Sequence, residues 1–201
     1  RLGDFYLSAP DYWYPLDDAA KIYPMSMTDG WMSVFRLSAY LDAPVEPSLL
    51  QLALDLTMPR FPFFATKIKR GVFWHYIDGV KRRFTVQPET ELPCAPMNVA
   101  AGDSQSFRVL YYGRRVSVEF FHILTDGTGG LAFLTALLLA FMTEAAHAAS
   151  DESRGDISIQ VPVNMRKFCP SKTLRNFAMY CSVRTPWAEA GEAERLLPDI
   201  T

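Results

Sequence analysis

Arg115-Val116-Ser117-Val118-Glu119-Phe120-Phe121-His122-Ile123-Leu124-Thr125-Asp126-Gly127-Thr128-Gly129-Gly130 runs from a strand-like segment straight into a histidine, with an aspartate and a glycine close behind. An imidazole is mostly a free base at neutral pH, so His122 is able to take a proton from an attacking hydroxyl or amine. Such general-base help is worth roughly 10²–10⁴ in rate, because an alcohol is too weak an acid to ionise in advance. Asp126 need not touch the ring: a loop carboxylate that points away can pin its turn by pairing with an arginine from a distant segment. Gly127 would let a backbone or a thioester approach closely, and Gly129 and Gly130 leave the start of a helix uncrowded before Leu131.

Outward from this stretch, Phe107 to Tyr112 and Arg115 to Phe121 read as a hairpin across Gly113-Arg114, which delivers His122 at a strand end. Upstream, Phe35, Leu37, Ala39 and Leu41 alternate with Arg36, Ser38, Tyr40 and Asp42, the period-two pattern of a strand with one wet face. Pro47 stands where a helix start tolerates proline, and apolar residues recur at helical spacing until Pro59 ends the helix. Phe63 to Lys69 and Val72 to Ile77 read as strands, Asp78-Gly79 as a turn, and Thr85 to Asp103 as an irregular connection. After the histidine come a helix from about Gly130 to Ala149, a strand at Ile157 to Val163, a loop through Pro170 and a strand at Ala178 to Thr185. The class is α/β with mostly antiparallel or mixed strands.

Composition narrows the function. The chain of 201 residues is 49% hydrophobic, enough for a real core, and its formal net charge of −2 gives no electrostatic footprint for nucleic acid. Cys94, Cys169 and Cys181 are odd in number and suit neither a zinc site nor a disulfide framework, so a cytoplasmic location with reduced thiols is the simplest reading. The longest apolar run, Leu131 to Leu134 with Ala136 to Met142, is broken by Thr135 and falls short of a membrane span. Gly102-Asp103-Ser104-Gln105-Ser106 lacks the closing glycine of a nucleophile elbow, and Thr128-Gly129-Gly130 lacks the lysine of a phosphate-binding loop. No third ligand is placed to join His122 and Asp126 on a metal, so no metal is expected. His75, between Trp74 and Tyr76, reads as packing or surface, and His147 as a cation at a helix end. Phe61, Phe63 and Phe64 read as core. Taken by themselves, Arg166, Lys167, Lys172 and Arg175 are surface cations, and Asn164 and Asn176 are turn formers.

His122-x-x-x-Asp126-Gly127 resembles the signature of the coenzyme-A-dependent acyltransferases, a superfamily that includes chloramphenicol acetyltransferase, the plant acyltransferases, peptide-synthetase condensation domains and the alcohol acetyltransferases; the last group looks closest. Three further segments are similar and stand in the same order: Trp13-Tyr14-Pro15-Leu16-Asp17-Asp18-Ala19-Ala20-Lys21-Ile22-Tyr23-Pro24, Arg60-Phe61-Pro62-Phe63-Phe64-Ala65, and Val161-Pro162-Val163-Asn164-Met165-Arg166-Lys167-Phe168 with Leu174-Arg175-Asn176-Phe177. The resemblance implies a chloramphenicol-acetyltransferase-like two-domain fold, with mixed, mostly antiparallel sheets and flanking helices. It implies His122 as general base without an acyl-enzyme, Asp126 as the orienting carboxylate paired with Arg166, and Gly127, Asn164 and Asn176 near substrate. It implies no bound cofactor, with acyl-CoA, acetyl above all, as co-substrate and a small alcohol or amine as acceptor. Phe121 replaces the first of the two histidines that condensation domains carry, Ala65 replaces their second arginine, and the Asp-Phe-Gly-Trp-Gly segment of the plant enzymes is absent. These departures favour free coenzyme A over a carrier protein. A carrier-dependent condensing enzyme and a catalytically silent binding domain of the same fold are the alternatives.

The division that follows is residues 1–133 as the half carrying the histidine motif and residues 134–201 as a partial second half. In the superfamily a long segment separates the histidine motif from the Val161-Pro162-Val163-Asn164 strand, whereas here a single helix does. The expectation is therefore that residues are missing near positions 130–135 and beyond 201.

Overall fold

The computed structural model describes residues 13–16, 18, 20–28, 30–70, 75–98, 105–150, 154–169, 172 and 177–190. In chain order its elements are β1 (Trp13–Pro15), α1 (Ile22–Met25), β2 (Val34–Tyr40), α2 (Pro47–Thr57), β3 (Thr66–Arg70), β4 (His75–Gly79), β5 (Gln87–Pro88), β6 (Phe107–Tyr112), β7 (Arg115–Phe121), α3 (Gly127–Ala149), β8 (Asp156–Asn164) and β9 (Ala178–Pro186). Two compact units result, residues Arg1–Leu138 and Leu139–Thr201.

The first unit holds a four-stranded sheet of order β2-β7-β6-β5 and a three-stranded sheet of order β1-β4-β3. Pairing is antiparallel except between β5 and β6, so the fold is α/β with mixed, mostly antiparallel sheets. Side chains alternate across a strand, and the register makes the consequence visible. Phe120 lies opposite Phe35 and Phe107, and Val118 opposite Leu37 and Val109, so one face of the larger sheet is apolar. Phe133 of α3 covers it, its ring centroid 5.3 Å from that of Phe107 and 5.8 Å from that of Phe120. Edge-to-face pairs of this kind add about 0.5–1.5 kcal/mol each beyond burial. Phe64 joins the cluster as expected of a core residue, whereas Phe63 is exposed.

The other face is wet, as expected, at Ser38 and Tyr40 of β2, but not around Arg36. Here Arg36, Glu119 and Arg108 stand in line across β2, β7 and β6, and Glu119 is fully buried. Arg36 Nε donates to Glu119 Oε1 at 2.7 Å and Arg108 Nε to Oε2 at 2.6 Å. The segment from 85 to 98 lies over them and supplies a third donor, the Cys94 N–H, at 2.7 Å from Oε1. Glu89 extends the network, accepting from Arg36 at 2.9 Å and Arg115 at 2.8 Å. Alternation in sequence tells polar from apolar, and a cover from elsewhere in the chain decides whether the polar face meets water.

Two local expectations are corrected. Asp78-Gly79 closes β4 rather than forming a turn, because Asp78 pairs with Trp13 on one side and Lys67 on the other while its carboxylate meets Lys69 Nζ at 2.5 Å. The connection after Thr85 contains a short strand, β5, which tolerates Pro88 because it lies at the sheet edge. The helix of positions 47–57 stands as read, with Pro47 at its first turn and Glu46 capping it.

Helix α3 starts at Gly127, three residues before the expected Gly130, and is 23 residues long. By length and mean hydropathy (1.7) it is sufficient to cross a membrane, a reach that the interrupted apolar run did not suggest. Phe133 and Leu137 are nonetheless fully buried, as in the core helix of a globular protein. In the second unit β8 and β9 pair antiparallel over nine residues each. Their register places Ile157, Ile159, Val161 and Val163 on one face with Met179, Cys181, Val183 and Thr185. The His147 ring, near the end of α3, lies 4.5 Å from that of Trp187.

Candidate functional site

His122 sits where β7 stops being a strand. The main chain is held on both sides there: Phe121 N–H donates to Ser106 O at 2.9 Å, and His122 N–H to Ser33 O at 2.8 Å. The chain then turns, with Leu124 N–H donating to Phe121 O at 2.9 Å, and Ile123 and Leu124 tuck into the core. The imidazole itself is half-buried between two aromatic rings. Tyr23 lies nearly parallel to it, 4.9 Å between centroids and 13° between planes, and Phe35 stands tilted at 5.0 Å and 54°.

Asp126 is the residue before α3 and acts as its N-cap. Its Oδ1 accepts from the Gly129 N–H at 2.8 Å, and its carbonyl accepts the first helical hydrogen bond, from Gly130 N–H at 2.9 Å. The cap explains why α3 begins inside a glycine-rich stretch of poor helix propensity. Among the described residues no hydrogen bond joins this carboxylate to the His122 ring. Gly127, the first residue of α3, is exposed and has open space where a Cβ would stand. Gly130 is the opposite case: a Cβ there would lie 3.0 Å from a Phe35 ring carbon and 3.1 Å from one of Phe120. The absence of a side chain lets α3 rest directly on the ring that flanks the imidazole.

Asn164 and Arg166 belong to the second unit. Asn164 ends β8 and its Oδ1 accepts from the Arg166 N–H at 3.1 Å, the turn-forming role its residue type suggested. The Arg166 guanidinium lies over the Phe177 ring at 5.9 Å, and these residues line a shallow open cleft with Pro162, Val163 and Ala178. Asn176 lies outside the described residues, as do Leu174 and Arg175. Among the described residues no group of three His, Cys, Asp or Glu side chains could hold a metal ion.

Sequence reasoning missed Tyr23 and Phe35 beside the histidine, and nothing in their local pattern sets either against it. It also missed the buried charges. The signal for those was present in Glu119, a lone acid inside the run Val116 to Phe121, opposite arginines in two neighbouring strands. Their effect on ionisation is direct. Burial alone would raise the Glu89 carboxyl, but hydrogen bonds from Arg36 and Arg115 outweigh it and hold the group below the usual carboxylate range. Burial, then the charge of Glu119, pushes the Cys94 thiol above its ordinary value.

By sequence the chain matches no family model and no curated protein. In three dimensions it is similar to the starter condensation domain of rhizomide synthetase RzmA, at 10% identity and a TM-score of 0.51, over 90% of this chain and 71% of that one. An arginine variant of the same domain in complex with C8-CoA matches at 14% identity and a TM-score of 0.51, over 69% of this chain and 37% of that one. Polyketide synthase associated protein 5 from Mycobacterium tuberculosis matches at 10% identity and a TM-score of 0.50, over 92% and 71%. The fold is therefore that of the condensation domains.

Proposed function

We propose that the chain is an acyltransferase of the coenzyme-A-dependent superfamily, in which His122 Nε2 removes the proton from an acceptor hydroxyl or amine as it attacks a thioester carbonyl. The new bond joins the acceptor oxygen or nitrogen to the carbonyl carbon, the carbon–sulfur bond breaks, and the proton taken by His122 passes to the departing thiolate; no acyl-enzyme forms. The observation that carries the reading is the half-buried imidazole at the end of β7, next to the capped start of α3, on a fold shared with a domain whose structure holds C8-CoA. The Gly127 N–H, in the first turn of α3, suits the oxyanion that develops on the carbonyl. A free acetyl thioester is the favoured donor, since Phe121 and Ala65 replace residues that condensation domains use. Asn164 and Asn176 belong to the proposed substrate surroundings, and the ion pair of Asp126 with Arg166 is tested by a double-substitution cycle.

The deciding experiment is a thiol-release assay with acetyl-CoA and a panel of alcohols and amines, run beside His122→Ala. Turnover is expected to fall by about 10²–10⁴, with the melting temperature unchanged. Retained turnover in His122→Ala would contradict the mechanism. Similarity to condensation domains favours one second reading, transfer from a carrier-bound thioester. Activity with an acyl-loaded carrier protein and none with acyl-CoA would select it. Silence with both would select a binding domain.

A further inference from the structure

We infer that Tyr23 and Phe35 are the positioning residues of His122, an aromatic clamp that holds the imidazole where hydrolytic triads use a carboxylate. The inference rests on His122 being the base proposed above. A general base works only if its nitrogen is aimed at the incoming proton, and a histidine ring turns about two side-chain bonds. In a Ser-His-Asp triad a buried aspartate fixes that rotation through the second ring nitrogen. Here the two acids nearest in sequence are engaged elsewhere: Glu119 is held by Arg36 and Arg108, and the Asp126 carboxylate accepts from the Gly129 N–H.

What constrains the ring is geometry. Tyr23, 4.9 Å away and within 13° of parallel, covers one face of the imidazole and blocks any rotation that would tip the plane. Phe35, 5.0 Å away at 54°, bounds it from a second direction. Phe35 is itself fixed, by Phe120 at 5.3 Å and by the backbone of Gly130, where no side chain fits without displacing it. The clamp thus joins three elements, α1 through Tyr23, β2 through Phe35 and the start of α3 through Gly130, onto a histidine that β7 supplies.

The test combines spectroscopy and kinetics on the full chain. In the wild type, the His122 ring protons should show ring-current displacement and cross-relaxation with Tyr23 ring protons in NMR spectra. Tyr23→Leu should abolish the cross-relaxation and cut the displacement to what Phe35 alone causes, lower kcat about 10²-fold and leave KM for acetyl-CoA within about two-fold, because a base misplaced by about 1 Å costs that much. Tyr23→Phe, which keeps the ring and drops the hydroxyl, should restore both the spectrum and the rate. Wild-type spectra without Tyr23–His122 cross-relaxation would overturn the clamp whether or not any variant folds. Tyr23→Leu at wild-type kcat would overturn it while leaving the acyltransferase reading in place. The clamp seen by NMR in a protein inactive towards every thioester would support the geometry and sink the reading it rests on.

Discussion

Replacing Glu119 by glutamine removes one negative charge from the centre of β7 with almost no change of volume. The carboxylate is fully buried and accepts from Arg36 Nε at 2.7 Å, Arg108 Nε at 2.6 Å and the Cys94 N–H at 2.7 Å. In Glu119→Gln the amide turns at least one donor towards a guanidinium that is itself mostly buried, the Arg36 and Arg108 side chains being 12% and 11% exposed. Breaking a buried ion pair from one side costs about 3–5 kcal/mol, because an uncompensated charge is left behind. The lower end applies here, since Arg36 keeps Glu89 at 2.9 Å, and Arg108 keeps Glu91 at 3.3 Å and the Ala95 carbonyl at 3.0 Å. About 3 kcal/mol is a large share of the roughly 5–15 kcal/mol that stabilises a typical domain, and at about 2–4 °C per kcal/mol it lowers the melting temperature by about 6–12 °C. Scanning calorimetry at pH 7 measures it. An all-apolar variant, Arg36→Met with Glu119→Leu and Arg108→Met, should recover most of the loss, because three buried charges are then no longer desolvated while Arg115 still pairs with Glu89 at 2.8 Å. A Glu119→Gln protein that melts within about 1 °C of wild type, or an all-apolar variant that falls below it, would refute the reasoning.

Three further outcomes follow from single groups. Asp126→Ala removes the cap of α3 and should cost about 1 kcal/mol in urea titration, with Asp126→Asn close to wild type; an alanine variant of unchanged stability would contradict the cap. Because the Glu89 carboxyl is held low in the folded state, its contribution is present above its unfolded pKa of about 4.3 and lost as pH falls through the folded value, so Glu89→Gln should flatten the acid limb of the melting-temperature profile below about pH 4, and an unaltered limb would count against the network. Cys94, whose thiol burial pushes up, should react with iodoacetamide at pH 7 after the exposed Cys169 and Cys181, and mass spectrometry showing Cys94 alkylated first would exclude the arrangement around it.

What was legible in the sequence depended on whether its cause was local. The β6–β7 hairpin, the helix begun by Pro47 and the separate strands β8 and β9 follow from local period and turn chemistry and stand where the sequence puts them, whereas the pairing of β8 with β9 is a finding of the structure. The placement of His122 at a strand end followed for the same reason. Asp78-Gly79 failed because a turn dipeptide was judged without the two strands that flank it, and these come from positions 13–15 and 66–70. The start of α3 was missed because glycine propensity argued for a later start, while the Asp126 side chain outweighed it. Tyr23 and Phe35 reach His122 across 99 and 87 positions of sequence, and no local rule brings them there.

The buried charges also bear on where the histidine ends up. The apolar face of the larger sheet is repetitive: Val116, Val118 and Phe120 oppose Ala39, Leu37 and Phe35 on one side and Tyr111, Val109 and Phe107 on the other. A slip of β7 by one residue would turn its apolar side chains to the wrong face, so patterning already forbids it. A slip by two keeps every apolar side chain on the apolar face, with Phe120 opposite Leu37 and Val118 opposite Ala39, and hydrophobic burial hardly distinguishes it from the native register. The charged face does distinguish it. Shifted by two, Glu119 meets Ser38 and Leu110, and both Arg36 and Arg108 lose the carboxylate between them. The same shift would carry His122 about 6.5–7 Å along the strand, out of reach of Tyr23 and Phe35. An apolar sheet of equal stability would leave that error nearly free, so the ionic face serves register, and through register it sets the position of His122.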